Sequence, residues 1–160
     1  MTITIASVTV QVTVPYTGSF ELPVPKDKAL AYLTDYDVSI AKSFPGVEKL
    51  EATGDGAYRW QFEKIAYGGY ELAIGFSTRF QAKGDTLVME PVNDGTNNQL
   101  SGTWKLEGAG STTTVHFDAS LSLELPIPFF LKGMVTSVTQ KEITSLFHRY
   151  VERAPKNCPA

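Results

Sequence analysis

The sequence predicts an α+β domain in which a curved antiparallel sheet of about seven strands surrounds a long C-terminal helix. Three observations lead to this prediction. Valines alternate with polar residues near the N-terminus, five glycine-bearing turns separate the runs that follow, and the chain ends on an apolar stripe of helical period. The 160 residues have the size of one domain, residues 1–160, and their 42% hydrophobic and 19% charged content is typical of globular proteins.

The first strand is predicted from a period of two. Four valines alternate with polar residues between positions 8 and 14. Pro15 has no amide hydrogen for a sheet ladder, so the strand bulges, turns or lies at an edge there. Extended residues resume at 19–22, which leaves two interpretations open: one long bulged strand or two separate strands.

Two short helices are predicted after this strand. Pro25 opens a helical pattern, and apolar residues recur at helical spacing through Leu33. A second short helix ends at Pro45-Gly46. The break between them falls near Asp35 and Asp37, acidic residues that we expect to cap the second helix rather than to act as paired acids.

The middle of the chain predicts a meander of hairpins. Glycine-bearing turns, whose residues tolerate positive φ, bound successive extended runs and so indicate antiparallel pairing. The turns are 54–56, 68–69, 84–85, 93–95 and 108–110. The runs are 47–53, 57–65, 71–83, 86–92, 98–107 and 112–125.

The C-terminal helix is predicted to begin between Ile127 and Leu131. Prolines at 126 and 128 close the last strand, and proline suits the first turn of a helix. An apolar stripe then follows at steps of three and four residues through Val151. A helix over 129–153 would be roughly 36 Å long, enough to cross the sheet.

One face of the predicted sheet is apolar and rich in rings, whereas the other is polar. A single helix about 10 Å across does not fill the concave side of seven strands, so large side chains fill the gap or a cavity remains. Each ring taken alone is most simply a core residue, but the set favours a pocket. The predicted cavity lining is Tyr32, Tyr58, Trp60, Phe62, Phe76, Thr78, Phe80, Trp104, Phe117, Leu121, Met134, Val138 and Phe147.

The order of elements resembles the helix-grip fold of the START and pollen-allergen-like superfamily, which includes polyketide cyclases. Locally, residues 18–25, the helix from Ala29 to Asp35 and the step at 44–47 look like the branch that contains an accessory subunit of carbon monoxide dehydrogenase. The segment 121–126 is similar to coenzyme Q-binding relatives. The resemblance implies a cavity for an apolar molecule or, for the dehydrogenase branch, a role within a larger complex.

Three functions are compatible with these features. The first is non-catalytic binding or carriage of a hydrophobic small molecule such as a lipid, an isoprenoid or quinone, or a polyketide-like ring. The second is a cyclase or dehydratase, which needs acids, bases or hydroxyls aimed into the cavity. The inward face offers only Tyr58, Thr78 and Tyr32, which favours binding without catalysis. The third is an accessory subunit or interaction module.

Composition and missing motifs narrow the partners. The net charge of −3 offers no general attraction to phosphate backbones, so nucleic acid is not expected. No Walker, GxGxxG or GxSxG motif occurs, and neither His116 nor His148 has ligands at metal spacing. We therefore expect no cofactor, no metal and no catalytic residue, with both histidines exposed to solvent.

The remaining expectations concern location. Cys158, the single cysteine, fits a reducing compartment and is not expected to be a nucleophile. Residues 1–5 lack the pattern of a signal peptide, and no apolar run is long enough to span a membrane, so the cytoplasm is the expected location. The polar face of the last helix is either solvated or makes weak contact with an anionic membrane surface; its cations are Lys132, Lys141, Arg149 and Arg153.

Overall fold

The structure, a computed structural model, describes residues 7–67 and 70–159. Seven strands form an antiparallel sheet, and a small hairpin lies outside it. The strands are β1 (Ser7–Leu22), β2 (Val47–Gly54), β3 (Ala57–Phe62), β4 (Ile65–Tyr67), β5 (Tyr70–Leu72), β6 (Gly75–Lys83), β7 (Thr86–Val92), β8 (Gln99–Ala109) and β9 (Thr112–Pro128). The order in the sheet is β1-β9-β8-β7-β6-β3-β2, and β4 pairs with β5 alone. The predicted α+β class and antiparallel sheet are confirmed.

β1 is one continuous strand of 16 residues, which decides between the two interpretations left open by the sequence. It pairs with β9 from Ser7 opposite Pro128 to Leu22 opposite Thr113 without a shift in register. Pro15 is tolerated because β1 is an edge strand and needs ladder hydrogen bonds on one side only.

The two short helices are α1 (Lys26–Leu33) and α2 (Tyr36–Ser39), so the predicted pair is present. α2 ends at Ser39 and not at Pro45-Gly46 as expected, because turns occupy the residues between them. Asp35 stands at the N-cap position of α2, but its side chain makes no capping hydrogen bond. The backbone of Asp35 provides the connection instead, since its carbonyl accepts the amides of Val38 and Ser39 at 3.0 and 2.8 Å. The expected side-chain cap is thus replaced by backbone bonding.

The predicted runs 57–65 and 71–83 differ from the observed strands. β3 ends at Phe62, the hairpin of β4 and β5 leaves the sheet, and β6 starts at Gly75. The chain returns to the sheet where the amide of Phe62 donates to the carbonyl of Ile74 at 3.0 Å. A Cβ at position 75 would lie 3.2 Å from the carbonyl oxygen of Trp60, so glycine permits this close return. The predicted turn at 68–69 lies outside the described residues.

The C-terminal helix is α3 (Lys132–Asn157), preceded by a 3₁₀ turn at Phe129–Leu131. The helical segment thus begins inside the predicted window and extends four residues beyond Arg153. α3 packs most extensively against β1 and also contacts α2 and β9. Its buried face consists of Val135, Thr139, Ile143, Phe147, Tyr150 and Ala154.

Candidate functional site

Aromatic side chains fill much of the space between the sheet and α3. A continuous series of ring contacts crosses this interior, with centroid separations between 4.0 and 6.3 Å. In order, the series is Tyr36, Phe80, Trp104, Phe117, Phe147, Phe44, Trp60 and Phe62. The rings therefore supply most of the volume that one helix leaves open.

The closest ring contact at α3 involves two residues outside the predicted lining. Phe44 stacks on Tyr150 with centroids 4.0 Å apart and planes 10° from parallel. Phe44 lies in the turn between α2 and β2 and Tyr150 lies on α3, so this stack joins that turn to α3 across the interior. The sequence pattern marks Phe44 and Tyr150 as apolar positions, but periodicity alone does not predict that they contact each other.

Polar groups in this interior are paired with each other. The indole Nε1 of Trp104 donates to the hydroxyl of Tyr150 at 2.8 Å, and that of Trp60 donates to the hydroxyl of Thr78 at 2.9 Å. All four side chains have no solvent exposure. Burial raises the pKa of Tyr150 well above its usual range, although the hydrogen bond from Trp104 lowers it. This phenol stays neutral and is engaged in structure.

Tyr32 fastens α1 to the end of α3. Its hydroxyl donates to the carbonyl of Ala154 at 2.7 Å. Burial raises the pKa of Tyr32, while a hydrogen bond with Ser43 lowers it. Asn157 donates to the hydroxyl of Ser43 at 3.0 Å, which ties the last turn of α3 to the segment before β2. The role of Tyr32 in the fold is therefore to hold two elements together.

The structure brings most of the predicted lining residues into one interior. The buried ones are Tyr32, Trp60, Phe62, Phe76, Thr78, Phe80, Trp104, Phe117, Leu121 and Phe147. Tyr58 and Val138 are partly buried and pack against the same core. Met134 differs from the interior position expected for it, because its side chain is 43% exposed on the first turns of α3.

A cleft opens from this interior between α3 and the end of β3. Its volume is about 320 Å³. Phe62, Ile143 and Leu146 supply apolar lining, and Phe62 also contacts the rings of Trp60 and Phe76. The floor of the cleft is thus the outer edge of the aromatic layer at Phe62.

The wall opposite α3 is formed where the chain turns from α2 into β2. Gly46 has a φ of 80°, a conformation that favours glycine, and its carbonyl accepts the amide of Glu63 at 2.8 Å. This bond fixes Pro45 and Gly46 against the end of β3. Because the wall comes from 45–46, the floor from 62–64 and the third side from α3, no single segment of sequence signals the cleft.

The rim of the cleft carries both signs of charge. Glu63 and Glu142 supply carboxylates, and Lys64 and Arg149 supply cations. Lys64 lies 3.9 Å from Glu71, whereas Arg149 has no ion pair within the described residues. An exposed guanidinium beside an apolar floor suits a ligand with one polar end and one apolar end.

Outside the interior, the most connected charged group is Asp94. Its carboxylate accepts hydrogen bonds from Arg59 at 2.6 Å, from Ser77 at 2.8 Å and from the hydroxyl of Thr96 at 2.7 Å. Burial raises the pKa of Asp94, but these bonds and the charge of Arg59 outweigh burial and hold the pKa below its usual value. The cluster fastens the loop between β7 and β8 to the sheet.

The two histidines and the cysteine lie away from the cleft interior. His116 is 3.2 Å from Glu107 and His148 is 3.1 Å from Glu152, and both imidazoles are exposed. Burial raises the pKa of the Cys158 thiol, which disfavours the nucleophilic thiolate. Over residues 7–67 and 70–159, no three His, Cys, Asp or Glu side chains lie close enough together to hold a metal ion.

Comparison with known proteins gives structural likeness only. No family model matches the sequence, and no curated protein does. A START superfamily protein from Mycobacterium smegmatis superposes with a TM-score of 0.57 at 13% identity, over 89% of this chain and 97% of the other. The TTHA0849 protein from Thermus thermophilus gives 0.55 at 19% identity, over 91% and 99%.

A third similar structure is the Zhui aromatase/cyclase from Streptomyces sp. R1128. It gives a TM-score of 0.53 at 14% identity, over 92% of this chain and 97% of the other. Together with the element order, these likenesses establish a START-like helix-grip fold, as the sequence resemblance predicts.

Within the described residues, no helix is long and apolar enough to cross a membrane.

Proposed function

We propose that the protein binds a hydrophobic small molecule without transforming it, and that the molecule enters through the cleft between α3 and the end of β3. The observation that carries the proposal is the cleft itself, about 320 Å³ in volume, whose floor at Phe62 continues into the aromatic layer. Ligand pockets span about 300–1,000 Å³ and combine apolar walls with a few polar groups. The cleft has both properties.

The interior hydrogen bonds argue against catalysis by the buried hydroxyls of Thr78, Tyr150 and Tyr32, and so favour binding. A general acid or base needs a hydroxyl, carboxyl or imidazole that can reach the substrate. The hydroxyl of Thr78 instead accepts a hydrogen bond from Trp60, and that of Tyr150 accepts one from Trp104. The hydroxyl of Tyr32 donates to the carbonyl of Ala154. Breaking one of these buried bonds to serve a substrate would leave an unpaired polar group.

The ligand chemistry follows from the two parts of the cleft. The apolar floor at Phe62 and Leu146 suits an alkyl, prenyl or fused-ring body. The guanidinium of Arg149 at the rim suits a carboxylate or a carbonyl oxygen. Fatty acids, isoprenoid quinones and aromatic polyketides all combine these groups, so they form the panel to be tested.

The test is a thermal-shift assay with this panel on the full chain. A ligand at a hundredfold excess over its Kd adds about 2.7 kcal/mol to the free energy of unfolding. For a protein of this size the melting temperature should then rise by roughly 5–10 °C. At least one class of the panel should produce such a shift.

A pair of matched variants locates the ligand. Ser145 lines the cleft, and Ser145→Trp should obstruct it and remove the shift. Ser137→Trp makes the same substitution at an exposed position of the same helix and should leave the shift intact. If no panel member shifts the melting temperature, or if both variants respond alike, binding in this cleft is refuted and the interaction-module hypothesis replaces it.

A further inference from the structure

Two adjacent phenylalanines are exposed at the junction of β9 and α3. Phe129 is 59% exposed and Phe130 is 62% exposed. Their rings contact each other edge to face, with centroids 6.0 Å apart. Met134, 43% exposed, follows one turn later. We refer to Phe129, Phe130 and Met134 as the aromatic tip.

The backbone presents these side chains at one end of the molecule. Pro128 is the last residue of β9 and pairs with Ser7, the first described residue of β1. Ile127 is completely buried, which anchors the strand immediately before the tip. The two phenylalanines occupy a 3₁₀ turn between that anchor and α3. The aromatic tip is therefore a small projection on a fixed support.

The tip is separate from the proposed ligand cleft. The cleft begins on α3 at Glu142, eight residues beyond Met134. At 1.5 Å per residue the two are about 12 Å apart along the helix axis. The tip is thus a surface outside the proposed cleft.

The charge around the tip has a consistent sign. Residues 125–140 contain Lys132 and no acidic residue, although the whole chain has a net charge of −3. Lys132 is exposed and directly follows the 3₁₀ turn. Exposed rings with an adjacent cation complement an anionic lipid surface, where rings enter the interface and the ammonium group stays at the headgroups.

We propose that the aromatic tip docks the protein on an anionic lipid bilayer by inserting Phe129 and Phe130. A projecting pair of rings fits the deformable interface of a bilayer. Exposed apolar groups of this kind mark contacts with a membrane or a protein, and the exposed Lys132 beside the rings favours an anionic membrane. The docking is peripheral, because two rings and one adjacent cation supply only a modest affinity.

The first test measures binding of the full chain to vesicles at low salt. Vesicles of phosphatidylcholine with about 30% phosphatidylglycerol should sediment the protein, and vesicles of phosphatidylcholine alone should do so less. The double substitution Phe129→Ser and Phe130→Ser should weaken the binding by about thirtyfold or more. Circular dichroism and the melting temperature show whether this variant keeps its fold, as expected for exposed positions.

The second test locates insertion without removing the rings. In the Phe130→Trp variant, lipids brominated on their acyl chains should quench the new indole. The native indoles of Trp60 and Trp104 are completely buried and should not be quenched, so the unsubstituted chain is the control. This measurement decides the question even if the serine variant does not fold.

A matched pair of lysine variants tests the charge. Lys132→Gln should weaken binding to anionic vesicles by about fivefold, the effect of one basic residue near such a surface. Lys83→Gln makes the same change in net charge at the turn between β6 and β7. Through the pairing of β6, β7, β8 and β9, Lys83 lies level with His116 in the sheet. That position is roughly 40 Å along β9 from Pro128, so this variant should bind like the parent chain.

Three results would overturn the proposal. The first is a failure of the parent chain to bind anionic vesicles at low salt. The second is vesicle binding that survives the serine substitutions, with no quenching at position 130. The third is concentration-dependent dimerisation that the serine substitutions remove while vesicle binding is absent, because the tip would then contact a second copy of the chain.

Discussion

Replacement of Tyr150 by phenylalanine should destabilise the fold through one buried hydrogen bond. The hydroxyl of Tyr150 accepts the indole Nε1 of Trp104 at 2.8 Å, and neither side chain is exposed. The substitution keeps the ring and its stacking on Phe44, but it leaves the indole donor buried without this acceptor. The expected effect is therefore electrostatic rather than a loss of packing.

The magnitude follows from the cost of an unsatisfied buried donor, about 1–3 kcal/mol. Whole domains are stable by about 5–15 kcal/mol, so this is a substantial fraction. For a chain of 160 residues the melting temperature should fall by roughly 2–12 °C. Combining the substitution with Trp104→Phe removes the donor as well, so Tyr150→Phe should cost about 1 kcal/mol less in that background.

Urea unfolding followed by circular dichroism gives the free energies, and Tyr36→Phe is the matched control. Tyr36 stacks on Phe80 in the same aromatic series, but its hydroxyl has no hydrogen bond within the described residues. Burial and, to a smaller extent, the neighbouring Tyr58 raise the pKa of Tyr36 to about 12. Loss of this hydroxyl should change stability by less than about 0.5 kcal/mol. If Tyr36→Phe costs as much as Tyr150→Phe, the hydrogen bond with Trp104 does not carry the stability assigned to it.

Three further predictions concern other parts of the molecule. Asp94→Asn should cost about 1–3 kcal/mol at pH 7. The folded-state pKa of Asp94 is lowered, so its contribution to the free energy of unfolding is present above the unfolded pKa of about 3.9 and is lost as pH falls through the folded value. In urea titrations at acid pH, the free energy of unfolding of the variant should therefore fall less steeply with pH than that of the parent chain. Gly102→Ala should cost about 1–3 kcal/mol, because a Cβ there would lie 2.9 Å from the carbonyl oxygen of Asp118. Gly133→Ala in α3, where the Cβ meets nothing within 4 Å, should stabilise the fold by up to about 1 kcal/mol. Equal melting temperatures of the two variants would contradict the packing argument. Cys158 should react slowly with iodoacetamide at pH 7.5 and quickly in urea, since burial raises the pKa of its thiol; equal rates in both would show that the thiol is accessible in the folded chain.

Strand faces were predictable because a period of two is a local property. Trp60, Phe76, Trp104 and Phe117 come from four different strands, and each is completely buried. A slip of one residue in any of these strands would have moved its ring to the outer face. The hairpin of β2 and β3 and the run of hairpins from β6 to β9 followed similarly from their short glycine turns, whereas no short turn joins β1 to β9 or β3 to β6.

Features that depend on contacts between distant segments were not predictable. The hairpin of β4 and β5 interrupts two runs that read as longer strands, because the break is set by the close return at Gly75. Met134 follows the helical spacing of the stripe, but it lies on the first turns of α3, where its side chain is exposed. Periodicity identifies the face of a helix and not how far the partner surface extends beside it.

The filled interior bears on where a ligand can be held. A concave sheet under one helix leaves space that rings or a ligand can occupy, and the rings of this chain are fixed there by the bond between Trp104 and Tyr150. Displacing this pair would leave the buried indole donor of Trp104 without its acceptor. Leu146 at the cleft is only partly buried, and its side chain makes no hydrogen bond that movement could break. At about 320 Å³ the cleft is near the lower end of the range for ligand pockets, so a larger ligand must gain volume from one side or the other. If the proposed ligand binds, we expect Leu146 and Phe62 to move before Trp104 and Tyr150 do, which would place the apolar body of the ligand beside α3.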